Sequence, residues 1–161
     1  MTVTHRSLCE AFQQTAVVKP DLVALRTVDS STSVTWREYA DRVRKIAAGL
    51  AKLGVKHGDT VAIMLTNRPV FHLADTGILH TGATPFSIYN TLAPEQIAYL
   101  FSNAANNVVI TEQAFLPQLH AANVDGQVQH FVVVDGPPDD GADGVMTLEE
   151  LEASGDPSYD F

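Results

Sequence analysis

Blocks of apolar residues, separated by short polar segments, follow one another along the chain and predict a regular succession of helices and strands. Residues 8–18 have loosely helical apolar spacing, and the proline in Lys19-Pro20-Asp21 ends that helix. Residues 22–28 then predict a strand, and residues 29–33 predict a polar turn followed by a second short strand. This second strand leads directly into the next helix.

That next helix has the clearest local pattern in the sequence. Thr35 and Glu38 form a capping box, in which the hydroxyl and the carboxylate satisfy first-turn N–H groups that have no partner inside the helix. Gly54 stands where a left-handed glycine would end the helix. Apolar residues recur between them every three or four positions: Trp36, Tyr39, Ala40, Val43, Ile46, Ala47, Leu50 and Leu53. This stripe predicts an amphipathic helix packed on a sheet rather than one lying on a membrane surface.

Strands and helices alternate after the turn at Gly58-Asp59. Apolar segments predict four strands, at residues 61–65, 83–89, 108–111 and 131–134. Helical segments lie between them, at residues 70–81, from Pro94 through Phe101, and at residues 114–121. Strands that are apolar on both faces and alternate with helices are typical of a parallel sheet covered on both sides. We therefore predict an α/β fold, a parallel sheet flanked by helices on both faces.

The pattern changes after Asp135. Residues 136–144 predict a flexible acidic loop, and Thr147 with Glu150 forms a second capping box that opens a helix of about two turns. No closing strand is expected in this part. We therefore divide the chain into an α/β part, residues 1–134, and an acidic loop with a short helix, residues 135–161.

Composition allows one packed domain, while the distribution of charge points to an incomplete one. The 161 residues are 45% hydrophobic and 18% charged, and the net charge of −9 argues against nucleic-acid binding. Residues 1–68 hold all ten Lys and Arg with six Asp and Glu, a formal charge of +4. Residues 69–161 hold the other thirteen acids and no Lys or Arg, a charge of −13. A self-contained domain would more often mix both signs over its surface.

Compartment and membrane topology follow from simple features. Cys9 is the single cysteine, so neither an intramolecular disulfide nor a cysteine zinc site can form. The first residues are polar and lead into no hydrophobic signal core, and no apolar run reaches about 18 residues. We expect a cytoplasmic protein without a transmembrane segment.

Helical segment 70–81 contains the residues that most resemble known site motifs. Gly77 and Gly82 have the spacing of a nucleotide-binding Walker A loop, but Ala83-Thr84 stand where Lys and Ser or Thr would hold the phosphates. We expect Gly77 to allow close helix packing instead, and Gly82 to end the helix. His72 and His80 would lie about 12 Å apart along the helix, too far to share a metal. His72 and Asp75 predict a helix-surface pair rather than a catalytic dyad.

Ligands of an open parallel sheet bind beyond the carboxyl ends of its strands. Those ends are Thr66-Asn67-Arg68, Tyr89-Asn90-Thr91 and Thr111-Glu112. Arg68 is the one cation near this edge and could meet a phosphate or a carboxylate. The simpler interpretation is that Asn67 caps the following helix and that Arg68 is solvated or salt-bridged. We assign no catalytic, cofactor-binding or metal-binding residue.

Several segments together resemble the opening of the adenylate-forming (AMP-binding) enzymes. They are Thr35-Trp-Arg-Glu-Tyr39, Ala47-Ala-Gly-Leu50, Leu53-Gly-Val55, Gly58-Asp59, Val61-Ala-Ile63, Asn67-Arg-Pro-Val-Phe71 and Gly77-Ile-Leu-His-Thr-Gly-Ala83. The segments Pro85-Phe-Ser-Ile-Tyr-Asn-Thr91 and Ala93-Pro-Glu-Gln-Ile-Ala-Tyr99 look specifically like the long-chain fatty acyl-CoA synthetase branch. Their order and spacing over residues 22–111 carry the resemblance.

The resemblance implies an enzyme that uses ATP and Mg²⁺ to convert a fatty acid to an acyl-adenylate and then transfers the acyl group to CoA. The family's phosphate loop, similar to T-S-G-T-T-G-x-P-K-G, and its C-terminal domain with the catalytic lysine have no counterpart in this sequence. No family site residue can therefore be carried over. We expect a truncated N-terminal part of a long-chain acyl-CoA synthetase that holds no ATP, Mg²⁺ or CoA site of its own and is inactive alone.

Two alternatives stay open. In the first, the chain is one subunit of a split synthetase and binds fatty acid, ATP and CoA only when a partner chain supplies the missing segments. In the second, it is a stand-alone flavodoxin-like binding or regulatory module, although the Lys that a phosphoacceptor receiver needs after its fifth strand is absent. An incomplete sheet would also expose an edge and apolar patches that favour self-association.

Overall fold

The computed structural model describes residues 5–137 and 144–160. In these ranges its helices are α1 (Leu8–Val18), α2 (Trp36–Lys52), α3 (Pro69–His80), α4 (Pro94–Ala104), α5 (Leu116–Ala122) and α6 (Leu148–Ser154). Its strands are β1 (Val23–Arg26), β2 (Ser33–Thr35), β3 (Thr60–Met64), β4 (Thr84–Ser87), β5 (Val108–Thr111), β6 (His130–Val133) and β7 (Val145–Thr147). A single 3₁₀ turn, Gln113–Phe115, precedes α5.

The main sheet consists of five parallel strands in the order β4-β3-β5-β6-β7. Counted from β3, this is the 2-1-3-4-5 order of a flavodoxin-like sheet. The chain reverses its direction of strand addition between β3 and β5, since β4 lies on one side of β3 and β5 on the other. A crevice at the carboxyl ends of β3 and β5 is the place where such a sheet ordinarily binds a ligand.

Both faces of this sheet are covered by helices, as the sequence predicts. Alternate residues of a strand point to opposite faces, so Val61 and Ile63 pack with α2, α3 and α6, whereas Ala62 and Met64 pack with α4 and α5. The central strands β3, β5 and β6 are buried along nearly their whole length. This two-sided burial explains why they are continuous apolar runs.

The N-terminal elements form a separate layer beside α2 and α3. Strands β1 and β2 pair antiparallel in a two-stranded sheet of their own. Phe12 of α1 contacts an aromatic cluster, with its ring centroid 4.8 Å from that of Tyr39 and 5.2 Å from that of His80. The contact fixes α1 across the start of α2 and the end of α3.

Local signals in the sequence set the helix ends. Thr35 Oγ1 accepts from the backbone N–H of Glu38 at 3.3 Å, and Glu38 Oε2 accepts from that of Thr35 at 2.8 Å, which confirms the first capping box. Thr147 and Glu150 make the same reciprocal pair at the start of α6. Gly54 follows α2 with φ +92°, as a glycine ending a helix requires.

The structure adds one strand that the sequence analysis does not predict. β7 pairs parallel with β6 and forms one edge of the sheet, where we expected no strand after residue 134. Its three residues are too few to show a period in the sequence. The last helix is also anchored, because Leu148 and Leu151 are fully buried against α2. Residues 138–143, most of the predicted acidic loop, lie outside the described residues.

Three smaller differences concern element ends. The predicted strands 22–28 and 83–89 are shorter, spanning Val23–Arg26 and Thr84–Ser87. The helix predicted at 114–121 begins with the 3₁₀ turn, because Pro117 fits the first turn of an α-helix but not a later one. Within the described part of the chain, no helix has the length and apolar character needed to span a bilayer.

Candidate functional site

Three loops meet at the carboxyl edge of the sheet, at the crevice between β3 and β5. Residues 65–68 follow β3, Glu112 follows β5, and Asp135 lies two residues after β6. Because these strands are parallel neighbours, their carboxyl ends share one edge. Side-chain contacts at this edge join two of the three segments that the sequence singles out as the candidate site.

Glu112 is the centre of the contacts at this edge. The backbone N–H and the hydroxyl of Thr66 both donate to Glu112 Oε1, at 2.7 and 2.6 Å. The side chain of Glu112 is only 12% exposed, and its Oε2 lies 3.6 Å from Arg68 Nη1. Short hydrogen bonds to a carboxylate are among the stronger ones in proteins. They join the loop after β3 to the loop after β5 across the crevice.

Arg68 therefore has an acidic partner. Its side chain is 39% exposed, and its guanidinium faces Glu112, which offsets its charge at the point where an anionic ligand would enter. The salt-bridge interpretation is confirmed, but the expectation that Asn67 caps α3 is wrong. Arg68 itself occupies the N-cap position, and its side chain makes no capping hydrogen bond to the first turn of α3.

A second pair of contacts closes the edge next to β6. Asp135 Oδ1 accepts from the backbone N–H of Gln113 at 2.9 Å, and the Gln113 amide donates to the Asp135 carbonyl at 3.4 Å. The third predicted segment, residues 89–91, follows β4 and so lies at the same carboxyl edge on the other side of β3, but it takes no part in these contacts. Among the described residues, no hydrogen bond or ion pair joins it to Thr66, Arg68 or Glu112.

The histidines of α3 lie in two different environments. His72 is exposed. Burial raises the pKa of the half-buried Asp75 carboxyl, and the charge of His72 opposes this rise. His80 is buried, its Nδ1 lies 2.7 Å from the Thr76 carbonyl oxygen, and burial lowers its pKa. In the ranges 5–137 and 144–160, no three His, Cys, Asp or Glu side chains are grouped as a metal site.

The Walker A-like spacing has a structural explanation. Gly77 lies inside α3, and a Cβ at this position would be 2.5 Å from Ile46 Cγ2 of α2. Gly82 follows α3 with φ +78°. Both expectations for these glycines are confirmed, because Gly77 allows close packing of α3 on α2 and Gly82 ends the helix.

The structure also places Arg26 near the same edge, a residue that the sequence analysis does not consider. Arg26 ends β1 and lines an open cleft of about 570 Å³ together with Arg68 and His72. No local motif marks this cleft, since it forms where the β1–β2 hairpin approaches the start of α3. It places the guanidinium of Arg26 beside that of Arg68, which faces Glu112, and the described residues of its lining include Thr27 and His72 but no Asp, Glu or Cys.

The model of one protein family, AMP-binding enzyme, matches residues 12–158 of this chain. The Uncharacterized protein Rv1549 of Mycobacterium tuberculosis is 52% identical over 140 residues, which are 86% of this chain and 79% of that protein. The Long-chain-fatty-acid–CoA ligase FadD15 of Mycobacterium bovis is 33% identical over 144 residues, which are 86% of this chain and 23% of the ligase.

Solved structures agree on the fold. The crystal structure of Coronafacic Acid Ligase from Pectobacterium brasiliense superposes with a TM-score of 0.84 at 16% identity. The superposition covers 94% of this chain and 30% of that one. The chain thus spans less than a third of either ligase.

Proposed function

The chain belongs to the AMP-binding enzyme family, and on that premise we propose that it forms the first part of a fatty-acid–CoA ligase and is inactive in adenylation alone. In the complete reaction, the fatty-acid carboxylate attacks the α-phosphate of ATP, giving acyl-adenylate and pyrophosphate. The thiol of CoA then attacks the acyl carbon, giving acyl-CoA and AMP. ATP, Mg²⁺ and CoA would bind mainly to segments that this chain does not contain.

The pairing of Arg68 with Glu112 is the observation that carries the proposal. Charge develops on the α-phosphate and on the leaving pyrophosphate, and stabilising it requires cations or preorganised donors. Arg68 is the last Lys or Arg in the sequence, and its guanidinium faces an acidic side chain that is only 12% exposed. Arg68 therefore supplies little uncompensated positive charge to a nucleotide at this edge.

Two observations support a long-chain fatty acid as the substrate of the complete enzyme. The segments from Pro85 to Tyr99 resemble the long-chain branch, and FadD15 is a long-chain-fatty-acid–CoA ligase with 33% identity to this chain. The segment lies in β4, the loop after it and the first half of α4. This segment contributes to the scaffold beside the crevice. The proposed substrate class therefore rests on sequence similarity and not on an acyl pocket.

A second polypeptide would complete the site. The comparison with Rv1549 supports this arrangement, since this chain spans 79% of that protein but only 23% of FadD15. The partner would bring the phosphate loop and the catalytic lysine that the family resemblance implies. Adenylation would then require both chains in one complex.

The test is ATP–pyrophosphate exchange with the purified chain, with a FadD15 polypeptide from which the matched segment is deleted, and with their mixture. We expect palmitate-dependent exchange in the mixture and none with either chain alone. Acetate in place of palmitate, and omission of Mg²⁺, serve as controls. Exchange by this chain alone would overturn the proposed inactivity, whereas an inactive mixture whose two chains form a complex would overturn the proposed ligase role.

A further inference from the structure

The outer side of α4 carries an apolar groove that the fold itself leaves uncovered. We call it the α4 groove. Its volume is about 450 Å³, and it is lined by Leu92, Glu95, Gln96, Tyr99 and Leu100. Leu92 and Leu100 are half-buried on the core beneath α4. The amide of Gln118 donates to the Leu92 carbonyl and so fixes one end of the groove against α5.

Tyrosine is the most prominent feature of this surface. Tyr99 is 69% exposed within the groove, and Tyr89, three residues before Leu92, is 77% exposed. Both phenols are exposed, and neither forms a hydrogen bond with another described residue. Large aromatic side chains of this kind often supply much of the binding energy at protein interfaces. The groove therefore has the composition of a contact surface.

Charge identifies the kind of partner. Glu95 is the one charged residue in the groove lining, and it forms no ion pair with a described residue. No Lys or Arg occurs anywhere in residues 69–161, so the charged side chains of α4, α5 and their loops are acidic, histidines aside. A surface of this kind favours a partner with basic and apolar residues and repels an acidic one.

From this complementarity we infer that the α4 groove docks a basic, apolar surface of the polypeptide that completes the ligase. The inference rests on the proposed function, in which the completing polypeptide supplies the cations that residues 69–161 lack. Tyr99, Leu92 and Leu100 form the apolar centre of the contact, and Glu95 lies at its rim. The opposite side of the sheet is covered by α2, α3 and α6, and the groove beside α1 and α2 on that side differs in its lining, which includes Arg44 and Asp160.

The test measures binding of this chain to the FadD15 polypeptide that lacks the matched segment, by isothermal titration calorimetry. Tyr99→Glu removes the aromatic contact and adds an acid, so we expect affinity to fall by about tenfold or more. Val17→Glu is the matched control, because Val17 is 80% exposed on α1 and the charge change is the same. Glu95→Lys is expected to weaken binding less and to reduce its dependence on salt.

A fusion of this chain with the partner polypeptide makes the test independent of whether the two chains fold separately. FadD15 in which the matched segment is replaced by this chain holds the groove and its partner surface at high effective concentration. There we expect Tyr99→Glu to lower the thermal midpoint and Val17→Glu to leave it unchanged. Circular dichroism of each isolated variant shows whether the fold is retained.

The outcomes separate this inference from the proposed function. Binding that Tyr99→Glu and Val17→Glu weaken equally would overturn the α4 groove and leave the ligase role intact. Groove-dependent binding without pyrophosphate exchange would support the docking surface and overturn the ligase role. Self-association of this chain that requires Tyr99, seen by light scattering, would make a second copy the occupant and overturn the inference, as would the absence of any binding.

Discussion

The two faces of the sheet are covered to different degrees, and the difference separates what holds the fold from what it presents to a partner. On one face, α2, α3 and α6 enclose a core that includes fully buried Ile46 and Leu151. On the other face, α4 and α5 bury Ile97 and Phe101 but leave Tyr99 exposed beside a groove. Helices of this chain cover the first face, whereas the second face leaves an apolar groove exposed beside α4.

Close backbone approach explains why the first face is closed. A Cβ at Gly49 of α2 would lie 2.3 Å from the Leu151 carbonyl oxygen of α6, so only glycine permits this contact. Arg42 of α2 donates twice to Glu152 Oε1 of α6, from Nε at 2.9 Å and from Nη2 at 2.6 Å. No comparable ion pair among the described residues joins α4 to α5 or to the sheet. The last helix is thus a structural part of the first face.

The largest effect is expected from truncating the core of the closed face. Leu151→Ala removes a fully buried side chain from α6 and leaves a cavity, so we expect the free energy of unfolding to fall by about 3 kcal/mol. Leu100→Ala, on the half-exposed lining of the α4 groove, should cost about 1 kcal/mol. Urea unfolding followed by circular dichroism measures both. Equal losses would show that the two faces contribute alike.

A smaller effect is expected at the ion pair between α2 and α6. Arg42→Ala leaves Glu152, whose side chain is 14% exposed, without its partner and should cost about 2 kcal/mol. Arg37→Ala is the matched control, because Arg37 and its partner Asp21 are 66% and 83% exposed, and should cost less than about 0.5 kcal/mol. The same urea titration compares them. A loss at Arg37 as large as that at Arg42 would contradict the role of burial.

The smallest effect is a dependence of stability on pH through His80, at the junction of α1 and α3. Burial lowers the pKa of His80 in the folded chain, so the unfolded chain binds a proton first as pH falls through about 6.5. The contribution of His80 to the free energy of unfolding is therefore fully present above that pH and is lost as the pH falls below it.

His80→Asn keeps a donor for the Thr76 carbonyl and removes the titrating ring. Unfolding free energies of the parent chain and this variant, measured at pH 7.5 and pH 5.5, should show a steeper acid loss in the parent. Parallel pH profiles would contradict the assignment to His80.

Local elements could be predicted because their signals are local. The Thr35–Glu38 box, the stripe of α2 and the positive φ of Gly54 all lie within a few residues of the helix end that they fix. The continuous apolar segments of β3, β5 and β6 predicted parallel strands for the same reason. The strand β7 was missed because its three residues are set by pairing with β6, which no sequence period records.

The sequence predicted the position of the candidate site but not the contacts within it. The rule for open parallel sheets led to the carboxyl ends of the strands, and Thr66, Arg68 and Glu112 do meet there. That Glu112 would take two hydrogen bonds from Thr66 and face Arg68 could not be predicted, since Thr66 and Glu112 are 46 residues apart. The contribution of Arg26 to the neighbouring cleft depends in the same way on how the hairpin packs.

The sequence by itself determined the family resemblance, the alternation of strands and helices, and the lack of cations after Arg68, because these depend on residue identity and short spacings. Only the tertiary structure decided the order of the strands, the partner of Arg68 and the open side of α4. These depend on which distant segments lie within contact distance once the core is packed. Charge at the carboxyl edge and exposure on α4 are properties of neighbours in space, and the chain order does not specify them.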